Sequence, residues 1–300
     1  MAYTSTMTAD EAFVRYEEVR HRLPSAHFPA SSIQAASLSY VADHVDAFVL
    51  DAFGVLNVGN SPIPGAVDRI AELRSRGKKL VVLTNAASDT REAALNKYRS
   101  LGFDFTADEV VASRDVCAAR LGSASVNRWG AISTDIDSYV DLGANVVRWR
   151  ADDQPAVDGF LMLSSARLDD ETARPLRDAL AENNRPLFVA NPDIVAPRET
   201  GLSLEPGFYA HQIADEIGIA PVFFGKPFGN AFDDVMARLP GIAPDRIAMV
   251  GDTLHTDVLG GAAAGLRTVL VTDFGLFAGL DVDQYIARSG IVPDFICEKT

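Results

Sequence analysis

The sequence is poor in cysteine and has no long apolar run. Among its 300 residues only Cys117 and Cys297 are cysteines, and they lie far apart without the CxxC spacing of metal or redox sites. We therefore expect two buried free thiols in a protein of the reducing cytoplasm. No apolar run approaches the roughly 18 residues of a membrane span. The N-terminal stretch MAYTSTMTADEAF also lacks the basic and then apolar pattern of a signal peptide.

Basic residues are in deficit as well. The chain has 27 lysines and arginines against 41 aspartates and glutamates, which gives a net charge of −14. Such a surface repels the phosphates of nucleic acid and argues against that class of partner. Any anionic substrate must therefore be met by local positive charge. The hydrophobic content of 48% is enough for one large core or two modest ones.

From residue 45 onward, short apolar strands alternate with helices. The expected strands are VDAFVLD (45–51), KLVVLTN (79–85), RIAMVGD (246–252) and RTVLVT (267–272). The expected helices are 65–77, 89–102 and the stretch DVLGGAAAGL (257–266). Short, nearly continuous apolar strands between helices are typical of a parallel sheet covered on both faces. The sequence therefore predicts an α/β fold.

The chain between Asn85 and Lys226 is far longer than a few crossover connections require. Its middle has strand patterns of its own in WGAIST, ANVVRWR, DGFLMLS and PLFVAN, together with an expected helix at 170–183. We interpret this segment as an inserted domain. The predicted division is an N-terminal extension at 1–40 with a helix at 8–23, a core formed by 41–124 and 204–300, and an insertion at 125–203.

Polar residues stand at the carboxyl ends of three expected strands. Asp51 ends the first strand, Thr84 and Asn85 end the next, and Asp252 ends a third near the C-terminus. Lys226 stands directly before another expected helix. In an open parallel sheet, ligands bind at the edge where these residues lie. Each signal alone is weak, since turns and helix caps use the same residue types, but their order points to one site.

The stretches DAFGVL, LTN, GKP and GDTLHTD, in this order, resemble the four motifs of the haloacid dehalogenase superfamily. The insertion between the second and third motifs, the ANPD stretch (190–193) and VFFGKP are similar to the N-acetylglucosamine-phosphate phosphatase-like branch. That branch includes pyridoxal-phosphate and phosphoglycolate phosphatases. The resemblance covers about residues 45–296 and implies a Rossmann-like core with an inserted α+β cap. Caps of this type often pair in homodimers.

The resemblance implies Mg²⁺-dependent hydrolysis of a small phosphorylated metabolite through an aspartyl-phosphate. It makes Asp51 the nucleophile and places Mg²⁺ on Asp51, Asp252 and the backbone carbonyl of Phe53. Asp257 would support the metal's waters or Lys226. The phosphoryl oxygens would be held by Thr84, Asn85 and Lys226. Hard oxygen ligands and fixed donors suit a reaction that depends on positioning and charge neutralisation.

Phe53 departs from the family pattern. Phosphatases of the superfamily have an aspartate two residues after the nucleophile, which protonates the leaving oxygen and later activates water; a phenyl ring does neither. An aromatic residue there also resembles the dehalogenases, which act at carbon without metal. Two alternatives therefore stay open, a metal-independent hydrolase and a phosphometabolite-binding protein with little turnover.

Several further residues have two readings each. His255 is either a substitute acid or an exposed histidine on a helix's first turn. Asn191 and Asp193 either face the substrate or build an Asn-Pro-Asp turn. Trp129 and Trp149 are expected in the core of the cap rather than at the substrate.

Overall fold

The structure is a computed structural model that describes residues 7–199 and 201–300. Its strands are β1 (Ile33–Gln34), β2 (Ala47–Leu50), β3 (Asn57–Val58), β4 (Ser61–Pro62), β5 (Lys79–Thr84), β6 (Val110–Ala112), β7 (Trp129–Ile132), β8 (Val146–Arg148), β9 (Gly159–Met162), β10 (Leu187–Val189), β11 (Val195–Arg198), β12 (Gly201–Leu204), β13 (Val222–Phe223), β14 (Ile247–Gly251), β15 (Arg267–Val271) and β16 (Phe295–Cys297). Its helices are α1 (Ala9–Glu18), α2 (Leu38–Val41), α3 (Ala66–Ser75), α4 (Arg91–Ser100), α5 (Ser113–Leu121), α6 (Arg174–Glu182), α7 (Pro206–Ile217), α8 (Gly229–Arg238), α9 (Leu259–Ala263) and α10 (Val282–Ser289).

A seven-stranded parallel sheet forms the core, in the order β1-β16-β15-β14-β2-β5-β6. The side chains of β2 alternate between its two faces. Phe48 and Leu50 join a hydrophobic cluster with α3 and α4, whereas Ala47 and Val49 join one with α5 and α8. Because both faces are covered, the strand is apolar until it ends at Asp51. The predicted α/β class is confirmed.

A second, five-stranded sheet lies between the two core segments, in the order β13-β10-β9-β7-β8. Its edge strand β13 lies beyond the predicted end of the insertion at residue 203, and α7 packs in the same hydrophobic cluster. That predicted boundary is therefore too early, because the sheet is completed only just before Lys226. The insertion was expected to be α+β, but this sheet pairs entirely in parallel, and only the appended hairpin β11–β12 is antiparallel.

The remaining expectations about the core concern cysteine and tryptophan. Cys117 and Cys297 are free and buried, as expected. Trp129 and Trp149 are also buried, so both serve packing rather than a substrate platform. In the part of the chain that the structure describes, no helix combines the length and apolarity that crossing a membrane requires.

The predicted helix at 8–23 is α1 followed by a 3₁₀ turn at Arg20–Arg22. Thr8 caps its N-terminus in a reciprocal arrangement with Glu11. The extension is not only helical, since β1 adds an edge strand to the core sheet. Residues 1–6 of the predicted extension lie outside the described residues.

Tyr16 of α1 links the insertion to the core. Its hydroxyl accepts a hydrogen bond from the Ile194 N–H at 3.1 Å, and its ring stacks on His255 with the centroids 5.0 Å apart. His255 Nε2 lies 2.5 Å from Glu17 Oε1. His255 is fully buried, so the expectation of an exposed histidine is wrong. The reason is that α1 covers the turn on which it lies.

Replacing Tyr16 by Phe should destabilise the protein. The buried Ile194 N–H would lose its acceptor, which costs roughly 1–3 kcal/mol of the free energy of unfolding. Urea denaturation measures this, with Tyr40→Phe as the control because Tyr40 is 43% exposed. Equal stability of the two variants would show that the Tyr16 hydroxyl does not join α1 to the insertion.

Candidate active site

Three neighbouring strands of the core sheet end in polar residues at one edge. Asp51 follows β2, Asn85 follows β5 and Asp252 follows β14. Because β14, β2 and β5 are adjacent and parallel, their carboxyl ends open on one crevice. Lys226 reaches into it, with its Nζ 2.5 Å from Asp51 Oδ1 and 2.7 Å from Asp257 Oδ1. The structure therefore brings the predicted constellation together.

The carboxylates of Asp51, Asp252 and Asp257 form a buried cluster, with ligand oxygens all within 4.8 Å of one another. Burial raises the pKa of Asp51 to about 7, although Lys226 opposes the shift. Burial, together with repulsion from Asp257 and Asp51, raises the pKa of Asp252 well above its usual value. Burial acts to lower the pKa of Lys226, but Asp257 and Asp51 hold it above its ordinary value. One ammonium thus faces three carboxylates, an imbalance that a bound cation would offset.

The Asp252 carboxylate is held by one backbone N–H and one side-chain hydroxyl. Its Oδ2 accepts from the Leu276 N–H at 2.7 Å, and its Oδ1 accepts from the Thr253 hydroxyl at 3.1 Å. Gly54 and Gly275 have φ angles of 77° and 90°, which L-residues rarely adopt. A Cβ at Gly275 would lie 1.9 Å from Asp252 Oδ2, and one at Gly54 would lie 2.7 Å from the same oxygen. The two glycines therefore leave the room that this carboxylate occupies.

The Asn85 side chain orients Lys226. Its Oδ1 accepts from the Lys226 N–H at 2.8 Å, while its Nδ2 donates to the Lys226 carbonyl at 2.9 Å and to Asp193 Oδ1 at 2.8 Å. Burial raises the pKa of Asp193 to about 8, although Lys226 opposes the shift. The side chain of Asn85 is thus engaged by protein, which leaves its backbone N–H for the predicted contact with a phosphoryl oxygen.

Thr84 is buried at the end of β5, and its Oγ1 accepts from the Ala86 N–H at 3.2 Å. Tyr98 of α4 is buried in the core cluster beside this strand end. Burial, and repulsion from Asp51, raise the pKa of Tyr98 above its ordinary value. The Tyr98 hydroxyl therefore keeps its proton, close to the Asp51 carboxylate.

A cavity of about 410 Å³ lies over these residues. The core contributes Asp51, Phe53, Thr84, Asn85, Lys97 and Asp252 to its walls, and the inserted segment contributes Ser164, Ser165, Asn191, Asp193, Arg198 and Glu205. The insertion thus covers the carboxyl edge of the core sheet, where a cap would act. A cavity of this size suits a small molecule.

Phe53 lies in the wall of this cavity, partly buried against the core. Its ring is flanked by two cations, with Lys97 Nζ 4.8 Å and Arg198 Cζ 5.0 Å from the ring centroid. Its carbonyl accepts no hydrogen bond from residues 7–199 or 201–300. That oxygen is available as the predicted metal ligand, and the ring supplies no proton.

Asn191 lines the cavity, but its amide is used within the protein. Its Nδ2 donates to Glu205 Oε2 at 3.0 Å, and its Oδ1 accepts from the Asp193 N–H at 3.0 Å. The second bond is the one expected of an Asn-Pro-Asp turn. Asn191 therefore both lines the cavity and stabilises the Asn-Pro-Asp turn. His255, in contrast, is not part of the cavity wall, because its ring packs against α1.

The chain is similar to known proteins along most of its length. Residues 48–135 match the family model described as haloacid dehalogenase-like hydrolase, and residues 223–298 match a second one, described as HAD-hydrolase-like. Glycerol-3-phosphate phosphatase of Gallus gallus is 30% identical over 288 residues, which cover 86% of this chain and 91% of that protein. The chain belongs to the haloacid dehalogenase-like hydrolases. The family inferred from the four motifs is confirmed.

Two further similar proteins also have names that describe phosphatases. Acid sugar phosphatase of Staphylococcus aureus is 28% identical, over 75% of this chain and 85% of that protein. A possible sugar phosphatase from Cytophaga hutchinsonii has a similar structure, with a TM-score of 0.77 and 26% identity over 90% of this chain and 98% of that one. As predicted, this haloacid dehalogenase-like hydrolase is a phosphoric monoester hydrolase.

A second solved structure bears on the metal. Glycerol phosphate phosphatase from Mycobacterium tuberculosis, solved in complex with magnesium, has a TM-score of 0.67 and 25% identity, over 88% of this chain and 76% of that one. The cluster of Asp51, Asp252 and Asp257 offers carboxylate oxygens, which are the ligands that hard divalent cations prefer. The residues of this hydrolase therefore fit a divalent metal.

Sequence reasoning missed four residues of the site. They are Tyr98, whose pKa is raised by burial and by Asp51, and Lys97, Arg198 and Glu205 around Phe53 and Asn191. Lys97 and Tyr98 are adjacent on α4, which begins only after the loop that follows the LTN motif. Both residues lie on the face of α4 that meets the strand ends. Only the folded structure shows which face that is, so the sequence alone carried no signal for them.

Proposed function

We propose that the protein hydrolyses a small phosphorylated metabolite, with Mg²⁺, through an aspartyl-phosphate on Asp51. The observation that carries this proposal is the buried group of Asp51, Asp252, Asp257 and Lys226 at the carboxyl edge of the sheet. The relatives support it, since their names describe phosphatases of glycerol phosphate, sugar phosphates and nitrophenyl phosphate.

Asp51 attacks phosphorus with one carboxylate oxygen. Its Oδ1 accepts from the Ala52 N–H at 2.7 Å and forms an ion pair with Lys226, whereas its Oδ2 makes no hydrogen bond with the described residues. We assign the attack to Oδ2. As the O–P bond to Asp51 forms, the bond to the leaving oxygen breaks, and that oxygen departs with the electron pair. Water then attacks phosphorus and releases phosphate and the Asp51 carboxylate.

The surrounding side chains hold the phosphoryl group during this transfer. Lys226 places its ammonium beside Asp51, where it neutralises charge on the moving group. Thr84 and the Asn85 N–H are placed at the adjacent strand end. Asp257 forms a second ion pair with Lys226, at 2.7 Å. Mg²⁺ held by Asp51, Asp252 and the Phe53 carbonyl would supply charge neutralisation and orientation of the phosphoryl oxygens.

Phe53 limits which leaving groups this site can release efficiently. No carboxylate lies where the family's usual acid and base would be, so an alkoxide must leave without a proton from that position. We therefore propose that turnover is slow, or that it favours leaving groups stable as anions. The alternatives remain a metal-independent hydrolase acting at carbon and a protein that binds a phosphometabolite without turning it over. A cytoplasmic location and a homodimer formed through the insertion also remain predictions.

A screen of phosphorylated metabolites and nitrophenyl phosphate, with and without Mg²⁺, tests this proposal. We expect phosphate release that depends on the metal. Halide release from a haloacid without metal would support the carbon hydrolase instead. Tight binding of a phosphometabolite without phosphate release would support the binding protein.

Mg²⁺ should also stabilise the fold, because it would relieve the repulsion among three buried carboxylates. At a hundredfold excess over its dissociation constant, the metal should add about 2.7 kcal/mol to the free energy of unfolding. Thermal unfolding with Mg²⁺ and with a chelator measures this. Asp252→Asn should abolish most of the effect, whereas Asp245→Asn, an exposed control, should keep it. A melting temperature indifferent to millimolar Mg²⁺ would contradict the metal site.

A further inference from the structure

Helix α1 and the 3₁₀ turn that follows it lie across the junction between the core and the insertion. Phe13 and Tyr16 of α1 pack in one hydrophobic cluster that contains Leu254 of the core as well as Ile194 of the insertion. A helix that packs against two parts of a fold opposes movement between them, because such movement would expose its apolar face to water. Residues 9–22 thus form a strap.

The strap is held on the core by contacts with α10 and with the turn that carries His255. Asp10 pairs with Arg288 at 2.6 Å, and the same guanidinium lies 4.5 Å from the centre of the Phe13 ring. Glu17 Oε1 lies 2.5 Å from Nε2 of the buried His255. The strap is therefore fixed on the core near both ends of α1.

Two attachments join the strap to the insertion. The inner one is buried, where the Ile194 N–H donates to the Tyr16 hydroxyl at 3.1 Å. The outer one is at the surface, where Asp215 of α7 pairs with Arg15 at 2.6 Å and with Arg22 at 2.5 Å. Burial acts to raise the pKa of Asp215, but the two arginines hold it below its ordinary value. The Asp215 carboxylate is therefore charged at neutral pH, and the outer attachment is ionic.

The inner attachment lies next to the active site along the chain. Asp193, which precedes Ile194, accepts a hydrogen bond from Asn85 Nδ2 at 2.8 Å. Asn85 also holds the backbone of Lys226 through two hydrogen bonds. Movement of Ile194 away from the core would therefore pull Asp193 from Asn85 and open the cavity over Asp51.

We propose that the strap holds the insertion closed over the active site before any ligand binds. Its inner attachment through Tyr16 and its outer attachment through Asp215 restrain the same movement, so the loss of either one frees the insertion to move on the core. A substrate then meets a formed cavity and need not supply the free energy of closing it. The closed position is independent of the proposed phosphatase function, whereas this consequence for substrate binding rests on it.

Amide hydrogen exchange tests the strap without any substrate. Asp215→Asn removes the outer attachment and leaves Tyr16 in place. We expect the Ile194 amide of this variant to exchange about threefold to tenfold faster, the effect of losing two partly exposed ion pairs. The amides of β14 should keep their protection, because the core stays folded. Glu216→Gln is the matched control, since Glu216 is the next residue on α7 but pairs with Arg177 of the insertion, at 3.2 Å.

Three results of this experiment would overturn the strap. Unchanged exchange of the Ile194 amide in Asp215→Asn would show that the two attachments do not restrain one movement. Equal acceleration in Glu216→Gln would assign the effect to the stability of the insertion itself. Equal acceleration of the β14 amides would assign it to the stability of the whole protein.

Steady-state kinetics on nitrophenyl phosphate with Mg²⁺ test the consequence for substrate binding. In the double variant Tyr16→Phe with Asp215→Asn, we expect KM to rise about threefold or more while kcat changes less than twofold, because bound substrate restores the closed state. Tyr40→Phe with Glu216→Gln is the control. An unchanged or lower KM would overturn the claim that the strap favours substrate binding. Absence of phosphate release from the wild-type protein would contradict the proposed function alone, and exchange of the Ile194 amide would still decide the strap.

Discussion

Asp51→Asn should lower hydrolysis of every phosphate ester to background, a loss on the order of 10⁴-fold or more. The amide keeps the shape of the carboxylate but cannot form the covalent intermediate. Lys226 keeps its contact with Asp257 at 2.7 Å, so the fold should survive. Phosphate release and circular dichroism measure the two effects. The variant should also lose most of its stabilisation by Mg²⁺.

Asp68→Asn is the matched control for that substitution, because Asp68 is exposed on α3, away from the cavity. It should keep full activity. Retention of most of the wild-type turnover in Asp51→Asn would mean that Asp51 is not the nucleophile.

Phe53→Asp should raise the rate on alkyl phosphates by roughly 10²–10⁴-fold, the usual contribution of general acid–base catalysis. An alkoxide leaves poorly without a proton, whereas nitrophenolate leaves readily as an anion. The gain on nitrophenyl phosphate should therefore be much smaller. Steady-state kinetics on ethyl phosphate and nitrophenyl phosphate measure the ratio. The variant should lose some stability, because the Phe53 ring packs against the core cluster.

Phe53→Leu separates the two consequences of that change, since it removes the ring but adds no acid. It should give no gain on ethyl phosphate. A wild-type enzyme that cleaves glycerol phosphate at an ordinary phosphatase rate would contradict the account of Phe53. This measurement is informative because the similar proteins include some named glycerol-3-phosphate phosphatase. Another residue would then supply the proton, and Asp193, which lines the cavity, replaces the buried His255 as the first to examine.

The sequence predicted the core sheet and the strand-end residues because both depend on local patterns. Strands such as β2 are apolar on both faces and turn polar only at Asp51, a change visible without a structure. Parallel pairing then brings the ends of β14, β2 and β5 together. The order of the four short motifs indicated the family, and the similar proteins confirm it.

The rest depended on contacts between distant parts of the chain. Lys97 and Arg198 meet at Phe53 only because the insertion folds back over α4. His255 was expected at the surface because nothing near it in sequence shows that α1 covers it. The end of the insertion was placed at residue 203 because β13 is too short to stand out as a strand.

The most direct test of the central claim is the mass of the peptide that contains Asp51, measured after acid quenching during turnover of nitrophenyl phosphate with Mg²⁺. We expect the mass of one phosphoryl group on this peptide, formed in a burst and lost slowly, because Phe53 cannot activate the water that attacks it. Asp51→Asn should show none. Continuous phosphate release by the wild-type enzyme with no phosphoryl group on this peptide, or with one on another residue, would contradict the account.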